Sequence, residues 1–85
     1  MFIKRLEKVY NAIEVLGLDG LYITNLTNIR YLTGFTGSAG VLLILNNQSY
    51  FLTDGRYIEQ SKAQVKNSKI YIIDSNYFIL IQEHN

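Results

Sequence analysis

Apolar residues recur at spacings of three and four along the first stretch of the chain, at Leu6, Val9, Tyr10, Ile13 and Leu16. That period gathers them on one stripe of a helix and turns Lys4, Glu7, Lys8, Asn11 and Glu14 away from it. Gly17 is the residue type that ends helices in the left-handed conformation, and Asp19-Gly20 supplies a turn. The short apolar run Leu21-Tyr22-Ile23 then reads as a strand. Thr27 is expected to N-cap a short helical turn over residues 28–32, closed by Thr33-Gly34, and a glycine-rich loop follows.

Val41 to Leu45 is apolar at every position, the pattern of a strand covered on both faces. Asn46-Asn47-Gln48 turns it back toward Tyr50-Phe51-Leu52, which makes a hairpin. Asp54 stands where a helix N-cap belongs, ahead of a helix over 56–65, and the next strand is read over 69–73. Asp74 and Ser75 are expected to cap a last helix over 76–83, which has neither a capping glycine nor a following strand. The chain is therefore expected to be a truncated domain. A hairpin and a helical crossover occur together, so the fold class is α/β with a mixed β-sheet flanked by helices.

Composition narrows the class of protein. At 85 residues the chain holds one modest core, and 48% hydrophobic against 18% charged residues favours a folded globule over a disordered chain. Eight Lys plus Arg face seven Asp plus Glu, scattered along the sequence, so no field exists to steer nucleic acid or anionic lipid. The absence of cysteine excludes a disulfide framework and thiolate zinc sites and fits a cytoplasmic protein. No apolar run approaches the ~20 residues that cross a bilayer, and charges interrupt the first eighteen positions, so neither a membrane span nor an export signal is read.

Candidate chemistry is sparse. The loop Gly34-Phe35-Thr36-Gly37-Ser38-Ala39-Gly40 has the glycine spacing of a phosphate cradle, but Val41 opens a strand where a phosphate loop needs a helix. Ser38 lacks the flanking glycines of a nucleophile elbow, Thr36 occupying one of those places, and the one histidine, His84, lies far along the chain. Asp19, Asp54, Glu59 and Asp74 have no histidine partner at helical spacing, so no metal site and no catalytic residue are assigned within this chain. Asp54-Gly55-Arg56-Tyr57 admits two readings: Asp54 caps a helix with Arg56 as its structural partner, or Arg56 presents its fork to a neighbouring domain or ligand. Phe35 likewise either folds back onto the sheet or stands out as an apolar contact residue.

Residues 27–38 read TNIRYLTGFTGS and residues 52–60 read LTDGRYIEQ, with an apolar hairpin between them. This combination resembles the amino-terminal domain of Xaa-Pro aminopeptidases, Xaa-Pro dipeptidases (prolidases) and creatinase, and the resemblance spans nearly all of residues 1–85. It implies the creatinase/prolidase amino-terminal fold with ribonuclease H-like layering. It also implies a larger cytoplasmic metallo-exopeptidase, in which a following pita-bread domain, absent here, holds two divalent metals (manganese, cobalt or zinc) on two Asp, one His and two Glu. By the same resemblance the partners are that catalytic domain and a second subunit of a homo-oligomer, and the loop after TNIRYLTG reaches toward the partner's active-site entrance.

Phe35, Thr36, Gly37 and Ser38 are accordingly the expected access or interface loop, with Asp54, Arg56 and Tyr57 as interface or structural residues. The family's creatinase carries an arginine on this loop; between Phe35 and Val41 there is none here, which leaves a carboxylate clamp from the loop unsupported. The expected function is that of a non-catalytic domain for assembly and for shaping active-site access. The alternative is a free-standing interaction module that binds through an exposed sheet edge and apolar surface.

Overall fold

A computed structural model describes residues 2–45 and 47–74. The elements follow the hydrophobic pattern: α1 (Phe2–Leu16), β1 (Leu21–Ile23), α2 (Leu26–Thr33), β2 (Val41–Leu45), β3 (Gln48–Thr53), a 3-10 turn (Gly55–Tyr57), α3 (Ile58–Gln64) and β4 (Lys69–Ile72). The four strands form one sheet in the order β1-β2-β3-β4. β1 pairs antiparallel with β2, β2 antiparallel with β3, and β3 parallel with β4. The mixed sheet expected from a hairpin followed by a helical crossover is thus the sheet that forms.

Local chemistry sets the ends of these elements. Gly17, at φ 70°, terminates α1, and the Leu18 amide reaches back to the Ile13 carbonyl at 3.0 Å, satisfying a carbonyl the helix leaves open. The cap of α2 differs from expectation. Asn25, not Thr27, is its N-cap: the Asn25 side chain accepts from the Asn28 amide at 3.1 Å, and Thr27 lies inside the first turn. The carbonyl oxygen of asparagine reaches the third helical amide from one turn earlier, which lengthens the helix to eight residues. Asp54 caps as expected, but the helix after it begins as a 3-10 turn before α3 proper. The expected cap at Asp74-Ser75 and helix over 76–83 lie outside the described residues, Asp74 apart.

One face of the sheet carries the core. Leu42 and Ile44 of β2 and Phe51 of β3 pack with Leu6 and Ile13 of α1, Ile29 and Leu32 of α2, Phe35 and Val65. The register explains the grouping, since Leu42 stands opposite Phe51 and Ile23, and Phe51 beside Ile70. Ser49 and Thr53 share this buried face and are satisfied: Ser49 Oγ donates to the Asn67 carbonyl at 3.1 Å, and Thr53 Oγ1 donates to the Ala39 carbonyl at 2.7 Å.

The opposite face departs from the expectation of a strand covered on both sides. Val41 is buried beside Ala39, Leu52, Tyr57 and Ile73. Leu43, however, is half-buried and Leu45 is 38% exposed. Together with Tyr50, Leu52 and Tyr71 they line a shallow apolar hollow that no described element covers. An all-apolar strand signals that both faces shun water; it does not say from where the second cover comes.

Truncation of the inner face should be far more damaging than truncation of the outer one. Phe51→Ala is expected to destabilise the chain by about 3–5 kcal/mol, read as a lower urea midpoint at unchanged slope, because the ring is fully enclosed. Tyr71→Ala, on the open face, should move that midpoint by less than half as much.

Candidate functional site

Two separated sequence segments meet at one corner of the fold. The first is the loop that runs from the end of α2 to β2, and the second is the turn from β3 into α3. Gly34 closes α2 at φ 88°, a conformation that disfavours any side chain, and its amide donates to the Arg30 carbonyl at 2.9 Å. Thr33 is fully buried; its hydroxyl donates to the Ile29 carbonyl at 2.7 Å and accepts from the Phe35 amide at 3.2 Å. The Thr33 carbonyl accepts from the Lys66 amide at 3.0 Å, tying the loop's base to the exit of α3.

Phe35 settles between its two readings by folding inward. Its ring is 1% exposed, 4.6 Å from the Phe51 ring and 5.4 Å from the Tyr57 ring, with which it forms a T-shaped pair. The ring therefore does not stand on the surface as a contact residue: burial against two aromatic partners outweighs anything an exposed ring gains from water. Gly37 crosses directly over it, and a Cβ there would collide with the Phe35 ring and come within 2.9 Å of the Tyr57 ring. Sequence alone gave these two outcomes equal standing; the glycine two places on, needed for close passage, was the available clue.

The polar residues of the loop are fastened to α3 and to its preceding turn. The Thr36 amide donates to Gln64 Oε1 at 2.9 Å, and the Thr36 hydroxyl accepts from Gln64 Nε2 at 2.9 Å and from Gln60 Nε2 at 3.1 Å. Ser38 lies on the other flank, its hydroxyl sharing a 2.5 Å hydrogen bond with the Tyr57 hydroxyl and its amide donating to the same oxygen at 3.2 Å. Those bonds, which favour the phenolate, hold the Tyr57 hydroxyl below its ordinary pKa. The roles of Gln60 and Gln64 were missed in the sequence, although their spacing of four places both amides on one helix face.

Asp54 and Arg56 form the pair that the sequence allowed. Arg56 Nε donates to Oδ1 at 3.0 Å and Nη2 to Oδ2 at 2.7 Å, a two-pronged contact, while the Arg56 amide adds a third bond to Oδ1 at 3.0 Å. Hydrogen bonding from Arg56 is the largest influence on the carboxyl and holds it below the usual carboxylate range, against the opposing pull of burial. Asp54 is 2% exposed, whereas the Arg56 side chain is 65% exposed and lies over the Tyr57 ring at 5.2 Å. The second face of the guanidinium is thus open to solvent beside a cleft that Asp54, Gly55, Arg56, Ile72, Ile73 and Asp74 line at the ends of the parallel strands.

Ser38 has a phenol rather than a base for its partner, so nothing here raises its nucleophilicity. Among the described residues no three of His, Cys, Asp or Glu converge as metal ligands, so the donor set for the metal pair that the resemblance implies is not found here. Nor, among those residues, is any helix long and apolar enough to cross a membrane.

A mixed sheet packed against helices, with a glycine loop and a DGRY turn that lock together at one corner, defines a small α/β domain. The chain belongs to the creatinase/prolidase N-terminal domain family, whose sequence profile matches residues 5–85. It is 53% identical over 66 residues, 78% of its length, to the uncharacterised peptidase YqhT of Bacillus subtilis, and spans 19% of that protein. Its structure is similar to the N-terminal domain of the cytoplasmic peptidase PepQ from Mycobacterium tuberculosis, with a TM-score of 0.78 and 36% identity over 87% of this chain and 60% of that one. A Streptococcus pyogenes Xaa-Pro aminopeptidase structure overlaps 96% of this chain and 64% of its own, with a TM-score of 0.82 and 32% identity.

Acid should weaken the DGRY turn in a defined window. A carboxyl with a lowered folded pKa contributes stability that is complete above its unfolded value, near 4, and is lost as pH falls through the folded value. The wild-type chain is therefore expected to lose stability relative to Asp54→Asn as the solution is taken from pH 5 to below about pH 3. Equal pH slopes for the two proteins in urea titrations would show that the pair contributes nothing.

Proposed function

We propose that this domain supplies shape and assembly, not chemistry, to a metal-dependent Xaa-Pro peptidase. The observation that supports it most is the anchoring of the loop: Phe35 pins it from below, and Thr36 and Ser38 fasten its two flanks. A loop held at three points presents a fixed outline, which is what a surface needs in order to restrict a neighbouring entrance to a narrow peptide terminus. In this reading Thr36, Gly37 and Ser38 form the outline, and Phe35 acts from beneath as its support. Arg56, paired on one face and open on the other, is the contact offered to the catalytic domain or to a second subunit. The two divalent metals, manganese, cobalt or zinc, belong to the catalytic domain, and the protein works in the cytoplasm, as PepQ does by its description.

A second reading, an independent interaction module, has one observation in its favour: the open apolar hollow of Leu43, Leu45, Tyr50, Leu52 and Tyr71. Sedimentation separates the two. Self-association that Tyr71→Glu abolishes supports the module, and a stable monomer with cooperative melting removes its support.

The assembly reading predicts that the purified chain shows no Xaa-Pro hydrolysis with manganese or cobalt added; turnover lost on chelation would refute it. Joined to its catalytic domain, the Tyr57→Phe variant should change KM or the preferred peptide length several-fold with unaltered metal content. Unchanged kinetics would count against the loop as a gatekeeper, because this substitution removes the bond that fastens Ser38.

A further inference from the structure

A second concavity lies away from the crest of the loop, between α1 and α2, lined by Phe2, Arg5, Thr27, Arg30, Tyr31 and the loop's Gly34 and Thr36. Its volume of about 430 Å³ falls within the range that holds small organic ligands rather than a lone ion. Two arginines line it, and no acidic residue does.

The two cations are prepared differently. Arg5 is set in place: Nη1 donates to the Tyr31 carbonyl at 2.8 Å, and its guanidinium lies 4.3 Å from the Tyr31 ring and 5.0 Å from the Phe2 ring. Stacking on two rings fixes the plane of the fork, so little freedom remains to be lost when an acceptor arrives. One of its five donors is used, and among the described residues no acceptor meets the other four. Arg30 is exposed and makes no hydrogen bond or ion pair through its side chain among those residues. It lines both this groove and the adjoining hollow that Leu26, Phe35 and Gly37 also line.

Packing accounts for Arg5 as a strut between the helices, but it does not account for a second unpaired cation beside it. Like charges brought to one groove repel, and the arrangement becomes favourable once an anion joins them. The groove's walls are the flat rings of Phe2 and Tyr31, and its donors come from two planar forks without a nest of backbone amides. Those features match a planar, singly charged acceptor better than a tetrahedral phosphate.

We infer that the α1–α2 groove binds a carboxylate, either the terminus of a short peptide or an acidic side chain, with Arg5 as the preset fork and Arg30 as the second cation. The inference stands whether or not the loop faces another subunit, since every residue it invokes belongs to this chain.

The test is titration of the isotope-labelled full chain, followed through the Nε–H signals of Arg5 and Arg30. The probes are acetyl-Gly-Gly with a free terminal carboxylate, its amide, acetyl-Glu-amide and inorganic phosphate. Saturable shifts at both arginines are expected with at least one carboxylate probe, with a Kd of the order of 1 mM, and none with the uncharged amide. The tighter of the two carboxylates identifies the source. Arg30→Gln, at an exposed position that leaves the fold intact, should weaken that binding about tenfold, and Arg5→Lys, which keeps the charge but loses the fork, should weaken it as well. Absence of saturation with either carboxylate, binding indifferent to Arg30→Gln, or equally tight phosphate binding would overturn the inference.

Discussion

The corner that distinguishes this domain depends on one packing constraint, the enclosure of the Phe35 ring between Phe51 and Tyr57. A loop of seven residues with three glycines has much conformational freedom to lose on folding, and hydrogen bonds to water compete with every polar tether it makes. A buried phenyl ring contributes on the order of 2–3 kcal/mol that water cannot match. Once that ring is seated, Thr36 and Ser38 are brought within reach of the glutamines of α3 and of the Tyr57 hydroxyl, and each tether adds to a loop already placed. Gly37 is the complement of this arrangement, since the chain must pass over the ring with no side chain between.

The same ring unites the two segments that carry the family likeness. GFTGS and DGRY are far apart in sequence, yet Tyr57 forms a T-shaped pair with Phe35, meets Ser38 with its hydroxyl and lies under Arg56 with its face. Arg56 in turn neutralises Asp54 at the end of β3. They constitute one physical unit, in which the strand end, the turn and the loop hold one another. The helices and the sheet beneath it are the platform on which that unit rests.

Much of the fold was legible in the sequence, for reasons that are local. The three-and-four spacing of Leu6, Val9, Tyr10, Ile13 and Leu16 gave α1, and Gly17 its end. The hairpin and the later crossover gave a mixed sheet before any pairing was known. The failures were those of choice among near equals. Asn25 and Thr27 are both capping residues two places apart, and only the backbone path selects Asn25. Val41 to Leu45 signalled burial on two faces, but pattern cannot say what provides the second cover, and no described element does so over Leu43 and Leu45. In the candidate site, the Asp54–Arg56 fork was readable because its partners are neighbours. The partnership of Thr36 with Gln60 and Gln64 spans 24 and 28 residues and has no signature short of the fold.

The loop's fastenings are uncharged on both flanks: the amides of Gln60 and Gln64 hold Thr36, and hydroxyl meets hydroxyl at Ser38 and Tyr57. Dissolved salt attenuates the attraction between Asp54 and the largely exposed Arg56, one step removed from the loop, and leaves both flanks in place. The outline of the loop is thereby insulated from ionic strength.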